Sequence, residues 1–155
     1  MALSGKIILE VGIQVAAAKF FDIFTKQLRN VKDICERVQG ARLYEGGDDD
    51  LWYSSNSVVQ WTSIVGGKAT TYKERIEVID VENKLVRFKL FDDDITESYS
   101  NLEITLQASG FNDRGGSVTW TIEYEKINED VVAPFGFVEL LDISTKDVVL
   151  YLLKA

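Results

Sequence analysis

The segment from Pro134 to Ala155, PFGFVELLDISTKDVVLYLLKA, constrains this chain more than any other. It opens on the only proline in the sequence. Proline suits the first turn of a helix, because the N–H it lacks would have had no partner there. Phe137, Leu141, Val148 and Leu152 recur at helical spacing, with Leu140, Ser144 and Val149 beside them. Glu139, Asp142, Lys146 and Asp147 gather elsewhere on the wheel. The pattern predicts an amphipathic helix of about twenty residues, roughly 30 Å long at 1.5 Å per residue. Nearly everything between Lys6 and this helix alternates like strand or breaks like a turn. One long helix and a half-apolar sheet bury both apolar faces together when the sheet curves around the helix. Aromatic residues on those faces then either fill a solid core or enclose a cavity.

From Lys6 to Val15 the chain alternates, with Ile7, Leu9, Val11, Ile13 and Val15 on one face. The period then changes. Ala17, Phe20 and Phe24 share a helical stripe, which Leu28, Val31, Ile34, Cys35 and Val38 continue until Gly40 offers a stop. Two short helices with a break near residues 25–30 are expected, and Cys35 falls on their core side. A brief strand at 41–45 leads into GGDDDLWYSSNS, an irregular loop with exposed-looking aromatics. Strand patterns follow at 57–65, 70–80, around Val86, Phe88 and Leu90, from Leu102 to Ala108, and from Val118 to Tyr124. Turn signals separate them at 66–68, 82–84, 92–94 and 110–116.

The segment 70–80 has two readings. Tyr72, Glu74, Ile76 and Val78 form one face; Thr71, Lys73, Arg75, Glu77 and Ile79 form the other. Polarity turns the first set inward, whereas a cavity in need of polar groups would take part of the second. The element order, β-α-α-β-β-β-β-β-β-α with hairpin-length connections, indicates an antiparallel α+β domain over residues 1–155.

A chain of 155 residues is long enough for one substantial core. Its net charge of −8 repels phosphate backbones, and no Lys/Arg cluster offsets that charge, so nucleic acid is disfavoured as a partner. Glu10 interrupts the apolar run near the start, so neither a signal peptide nor a membrane span is expected. One cysteine excludes an internal disulfide and fits a reducing, cytoplasmic setting. Histidine is absent, which removes the commonest general base and the best zinc ligand. The aspartate runs 48–50 and 92–94 lack the spacing of a calcium loop. No metal and no cofactor are expected.

Several segments together resemble the major latex protein family, within the superfamily of the major birch-pollen allergen and the class-ten pathogenesis-related proteins. They are LSGKIILEV at the start, Gln39-Gly40 with Leu43-Tyr44-Glu45-Gly46, and Trp61 ahead of Gly67-Lys68. Lys73-Glu74-Arg75-Ile76-Glu77 and Trp120 leading into Ile122-Glu123-Tyr124-Glu125-Lys126 complete the set. The resemblance covers essentially the whole chain. It implies a START-like helix-grip fold, with a seven-stranded sheet around a long C-terminal helix and an internal apolar cavity. Members bind hydrophobic metabolites such as sterols, hormones and terpenoids. Some relatives are cofactor-free cyclases or isomerases of reactive iridoid-like or alkaloid intermediates, and enzymes of the same pathway are the further partners this suggests.

The departures are specific. The family's glycine-rich loop begins at Glu45-Gly46 and ends at Ser57, but Tyr53, Ser54, Ser55 and Asn56 stand where its later glycines would be. Asp48, Asp49 and Asp50 oppose an anion cradle there, so a reshaped cavity entrance is expected instead. Norcoclaurine-synthase-like relatives carry a lysine on the last strand; Val118-Thr119-Trp120-Thr121 offers none, so that condensation is not carried over.

Trp61, Phe88, Leu90, Trp120, Tyr124 and Phe137 are the expected cavity walls, with Phe20 and Phe24 beneath the helix. Leu102 and Ile104 on the sheet, and Leu141 and Val148 on the helix, complete the expected ligand contacts. Tyr72, Tyr99, Tyr124 and Thr121 are candidate hydroxyls for orienting a ligand. Tyr72, Lys73, Tyr99 and Tyr124 are the candidate acid/base groups, if low-dielectric surroundings shift one of them.

Overall fold

The computed structural model describes residues 2–46 and 52–154. Seven strands pair in one antiparallel sheet: β1 (Ser4–Ile13), β2 (Val38–Glu45), β3 (Val58–Val65), β4 (Lys68–Asp80), β5 (Leu85–Phe91), β6 (Tyr99–Asn112) and β7 (Gly115–Lys126). Their order across the sheet is β1-β7-β6-β5-β4-β3-β2. Two short helices, α1 (Ala17–Ile23) and α2 (Val31–Ile34), follow β1 and are joined through a 3-10 turn at Leu28–Asn30. The last element is α3 (Phe135–Lys154). This is the expected helix-grip arrangement.

Alternation decides which side chains enter the core. Val86, Phe88 and Leu90 on β5, Leu102, Ile104, Leu106 and Ala108 on β6, and Val118, Trp120 and Ile122 on β7 are all buried. Phe137, Leu140, Leu141, Ser144, Thr145, Val148 and Val149 form the buried stripe of α3. Each fully buried aliphatic or aromatic side chain contributes roughly 1.5–3 kcal/mol relative to exposure. The apolar faces of sheet and helix therefore supply most of the driving force.

Three local expectations are corrected. The helical stripe does not run to Val38: α2 ends at Ile34, Cys35 is already extended, and Val38 opens β2 opposite Ser63. The backbone N–H of Glu36 donates to Asp147 on α3 at 3.0 Å, which turns the chain away from the helix axis. On β4, Tyr72, Glu74 and Ile76 do face inward, but Val78 does not. A bulge between Ile76 and Val78 inserts one residue, so Val78 is exposed while Ile79 pairs with Val86 and packs on the core. The turn expected at 110–116 is tighter than its sequence suggests, because β6 continues to Asn112 and β7 starts at Gly115.

The loop aromatics also differ from expectation. Trp52 is buried in the core at 7% exposure, with the Ser57 hydroxyl donating to its carbonyl at 2.6 Å. Residues 47–51, which carry Asp48, Asp49 and Asp50, lie outside the described residues. In the second aspartate run each carboxylate turns to a different partner. Asp92 pairs with Lys73 at 3.1 Å, Asp93 accepts from Gln60 at 3.3 Å, and Asp94 accepts the Thr71 N–H at 2.8 Å.

One contact fixes where α3 begins. The β3–β4 turn uses Gly66 and Gly67, both at positive φ. Gly136, in the first turn of α3, lies so close to it that a Cβ would sit 2.6 Å from the Gly66 nitrogen and 2.9 Å from Val65 Cγ1. Only glycine allows that approach. It sets Phe137 directly beside the hairpin.

Candidate functional site

A cavity of about 60 Å³ lies between the inward face of the sheet and α3. Trp61 on β3, Tyr72 and Glu74 on β4, and Phe88, Ile104 and Trp120 on β5 to β7 form its sheet wall. Phe137, Leu140, Leu141 and Ser144 form its helix wall, and Phe24, Leu28 and Val31 from the short helical segment with Val38 at the start of β2 close it. Beside it is an open, polar recess of about 260 Å³ between the β3–β4 turn, residues 94–99 and the link 132–134 into α3. Among the described residues, Phe137 is the one that lines both. Its ring meets Tyr72 edge-on at 5.4 Å. It stands as a partition between the recess and the inner cavity.

Seven of the twelve residues expected to touch a ligand line the inner cavity: Phe24, Trp61, Phe88, Ile104, Trp120, Phe137 and Leu141. Phe20, Leu90, Leu102 and Val148 are buried in the core but do not border the void. Tyr124 lies over Gly5 of β1 and meets Tyr99 edge-on at 6.2 Å, away from the cavity. Leu28, Val31, Val38, Leu140 and Ser144 line it without having been expected there. Leu28 and Val31 depend on how the short helical segment docks, which helical periodicity does not determine, and Val38 on where β2 begins.

The acid/base candidates separate. Lys73 projects from the outer face, since it alternates with inward Tyr72 and Glu74. Its ammonium pairs with Asp92 at 3.1 Å and sits 4.2 Å from the centre of the Tyr44 ring. The Asp92 hydrogen bond raises its pKa, so it is no buried base. Thr121 alternates with Trp120 and shares the outer side. Tyr99 lines the recess and donates to the Val132 carbonyl at 2.7 Å. Tyr72 lines the cavity, with its hydroxyl 3.1 Å from that of Ser63. Burial, then the nearby Glu74 charge, pushes the Tyr72 phenol far above its usual range, against a smaller opposing effect of the Ser63 hydrogen bond.

Glu74 carries the chemistry that was not singled out from the sequence. It keeps part of its surface accessible, as a residue bordering a void does, yet protein encloses it. Burial pushes its carboxyl up to about 8, while the neighbouring Trp61 indole N–H pulls the other way. The Trp61 Nε1 is itself buried and has no acceptor in hydrogen-bonding geometry. Trp61 pairs with Tyr72 across the β3–β4 ladder, and Glu74 is the next inward residue, so the two groups are diagonal neighbours on one face.

Cys35 is a core residue, as its stripe position implied. Its thiol lies 3.9 Å from the Ser144 carbonyl oxygen, and burial pushes it up to about 12, with Ser144 lowering it and Asp147 raising it by lesser amounts.

The whole described chain matches one family model, that of the Pathogenesis-related protein Bet v 1 family, over residues 2–155. The chain belongs to this family. Among curated relatives, MLP-like protein 43 of Arabidopsis thaliana is 36% identical over 86% of this chain and 83% of its own length. MLP-like protein 31 of the same plant is 32% identical over 99% and 88%. Among solved structures, the ginseng major latex-like protein 151 from Panax ginseng superposes with a TM-score of 0.88 at 30% identity, covering 97% of this chain and 98% of that one. Relatives named for the major latex proteins thus agree with the resemblance in the sequence. No helix of the described residues is long and apolar enough to cross a membrane.

Proposed function

We propose that this Bet v 1 family protein binds a hydrophobic small molecule, of the terpenoid, sterol or hormone class of plant metabolites, between its sheet and α3. The supporting observation is a void lined by large apolar side chains, Trp61, Phe88, Trp120 and Phe137 among them, where a solid core would be filled. Affinity would come from burying apolar ligand surface at roughly 25 cal/mol per Å².

At about 60 Å³ the void is well below the roughly 300–1,000 Å³ of drug-sized ligand sites. A ligand of terpenoid size therefore enters by displacing Phe137 and joining the void to the adjacent recess. Native mass spectrometry of the purified protein tests for a co-purified ligand. Titration with the neutral dye phenylnaphthylamine tests the capacity directly: saturable, displaceable emission is expected, and its absence with no co-purified mass contradicts the reading.

A second reading, cofactor-free cyclisation or isomerisation of a reactive terpenoid or alkaloid intermediate, is favoured by one observation. Glu74 places a carboxyl that exchanges its proton near neutrality inside the cavity, where a general acid or base of such a reaction would have to be. Incubating reactive dialdehyde or enol substrates with the protein, and comparing product ratios with buffer alone, distinguishes carrier from catalyst.

A further inference from the structure

The cavity wall holds one polar corner. Trp61 offers a buried indole N–H with no acceptor in hydrogen-bonding geometry, the Glu74 carboxyl lying only near enough for the indole to pull its pKa down. Beside it, Glu74 lines the same void, and among the described residues that line it there is no cation to pair with it. Leaving a buried donor unpaired costs on the order of 1–3 kcal/mol, which a ligand acceptor would recover.

We propose that Trp61 Nε1–H and the carboxyl of Glu74 form a two-donor recognition point for the carbonyl oxygen of an apolar aldehyde or ketone in the inner cavity. The inference rests on the ligand-binding reading above and names the ligand's polar group. A carbonyl oxygen has two lone pairs and accepts from both donors at once. A protonated carboxyl donates, just as a carboxylic acid kept neutral by an apolar site does in other proteins. An ammonium ligand fits less well, because the indole N–H presents the positive end of its dipole to the same point.

The surroundings leave Glu74 to govern the response to pH. Its cross-strand partners are Val59 on β3 and Leu90 on β5, and the helix wall opposite is Phe137, Leu140, Leu141 and Ser144. Ile104 and Trp120 bring no charge from β6 and β7, nor do Leu28 and Val31 from the short helices. Among the described residues Tyr72 is the other titratable group bordering the void, and Cys35 lies behind Ser144; both are held neutral to well above pH 8.

The test compares cyclohexanone with methylenecyclohexane, which has nearly the same shape and no oxygen, in wild type, Glu74→Gln, Glu74→Leu and Trp61→Phe. Thermal melts establish that each variant is folded. Bound cyclohexanone should show a carbonyl stretch lowered below its value in cyclohexane solvent. Trp61→Phe and Glu74→Leu should each lower ketone affinity about tenfold relative to alkene affinity measured in the same variant, the equivalent of one lost hydrogen bond. Glu74→Gln keeps a donor and should retain the ketone. Wild-type ketone affinity should fall as pH rises through about 8, where the carboxyl loses its proton, and that of Glu74→Gln should stay flat. Saturable alkene binding with no carbonyl shift and no variant or pH effect on the ketone overturns the two-donor site and leaves the cavity reading standing. Failure of both probes to bind overturns the cavity reading with it.

Discussion

The indole N–H of Trp120 on β7 donates to the Thr145 hydroxyl on α3 at 2.9 Å, and that hydroxyl donates in turn to the Leu141 carbonyl at 2.7 Å. Phe24 meets the Trp120 ring edge-on at 5.1 Å from the other side. One buried side chain thus ties the centre of the sheet to the middle of the helix. The two cavity tryptophans differ in this respect: Trp120 is satisfied within the protein, whereas Trp61 is not.

Thr145→Val preserves shape but leaves the Trp120 donor without an acceptor. A loss on the order of 1–3 kcal/mol is expected in denaturant melts. A change of only a few tenths would mean that the hydrogen bond does not help hold helix to sheet.

Phe88→Ala widens the sheet wall of the void. In a solid core that change costs about 3–5 kcal/mol. Phe88 already borders empty space, so a smaller loss is expected, together with a changed affinity for phenylnaphthylamine. Melts and dye titrations on the two proteins read both; a full core-sized loss with unaltered dye binding would show the ring to be packing alone.

Lys73→Met removes a cation from the outer face of β4. Because its ammonium is engaged with Asp92 and Tyr44 on that face, ligand affinity should be unchanged. A several-fold loss of dye affinity would place Lys73 in communication with the cavity, contrary to its position.

Glu74 should make stability depend on pH. Its carboxyl is raised from an ordinary 4.5 to about 8 on folding, so between those values the folded state holds a proton that the unfolded state has released. Stability from this group is therefore full below about pH 4.5, declines as pH rises, and is lost once pH passes about 8. Glu74→Gln should flatten that part of the stability profile. Equal slopes in the two proteins would show that Glu74 is solvated.

The strand alternation and the α3 stripe were legible because each buries one face, which imposes a period on the residues. Along 70–80 alternation separated two faces and left open which one looks inward; the structure turns Tyr72, Glu74 and Ile76 in, while a bulge after Ile76 resets the alternation and leaves Val78 out without a distinct residue signal. Val38 carried helical spacing and became strand because pairing with β3 outweighed a weak local preference. Trp52 lies in an irregular stretch with neither strand alternation nor helical spacing, so no periodicity announced its burial. Lys73 drew attention as a chemical group, while Glu74, one residue on, met the cavity. Choosing between them required knowing which face of β4 looked inward and that the Trp61 donor beside it had no partner.

The most direct test of the central claim is a titration of nitrogen-labelled protein with phenylnaphthylamine, followed at the tryptophan indole N–H resonances. A ligand between sheet and helix should shift the Trp61 indole saturably, at the same midpoint as the dye's emission, with Trp120 moving less because Thr145 holds its N–H. Saturable dye emission with both indole resonances unmoved would put the ligand outside the cavity and contradict the account.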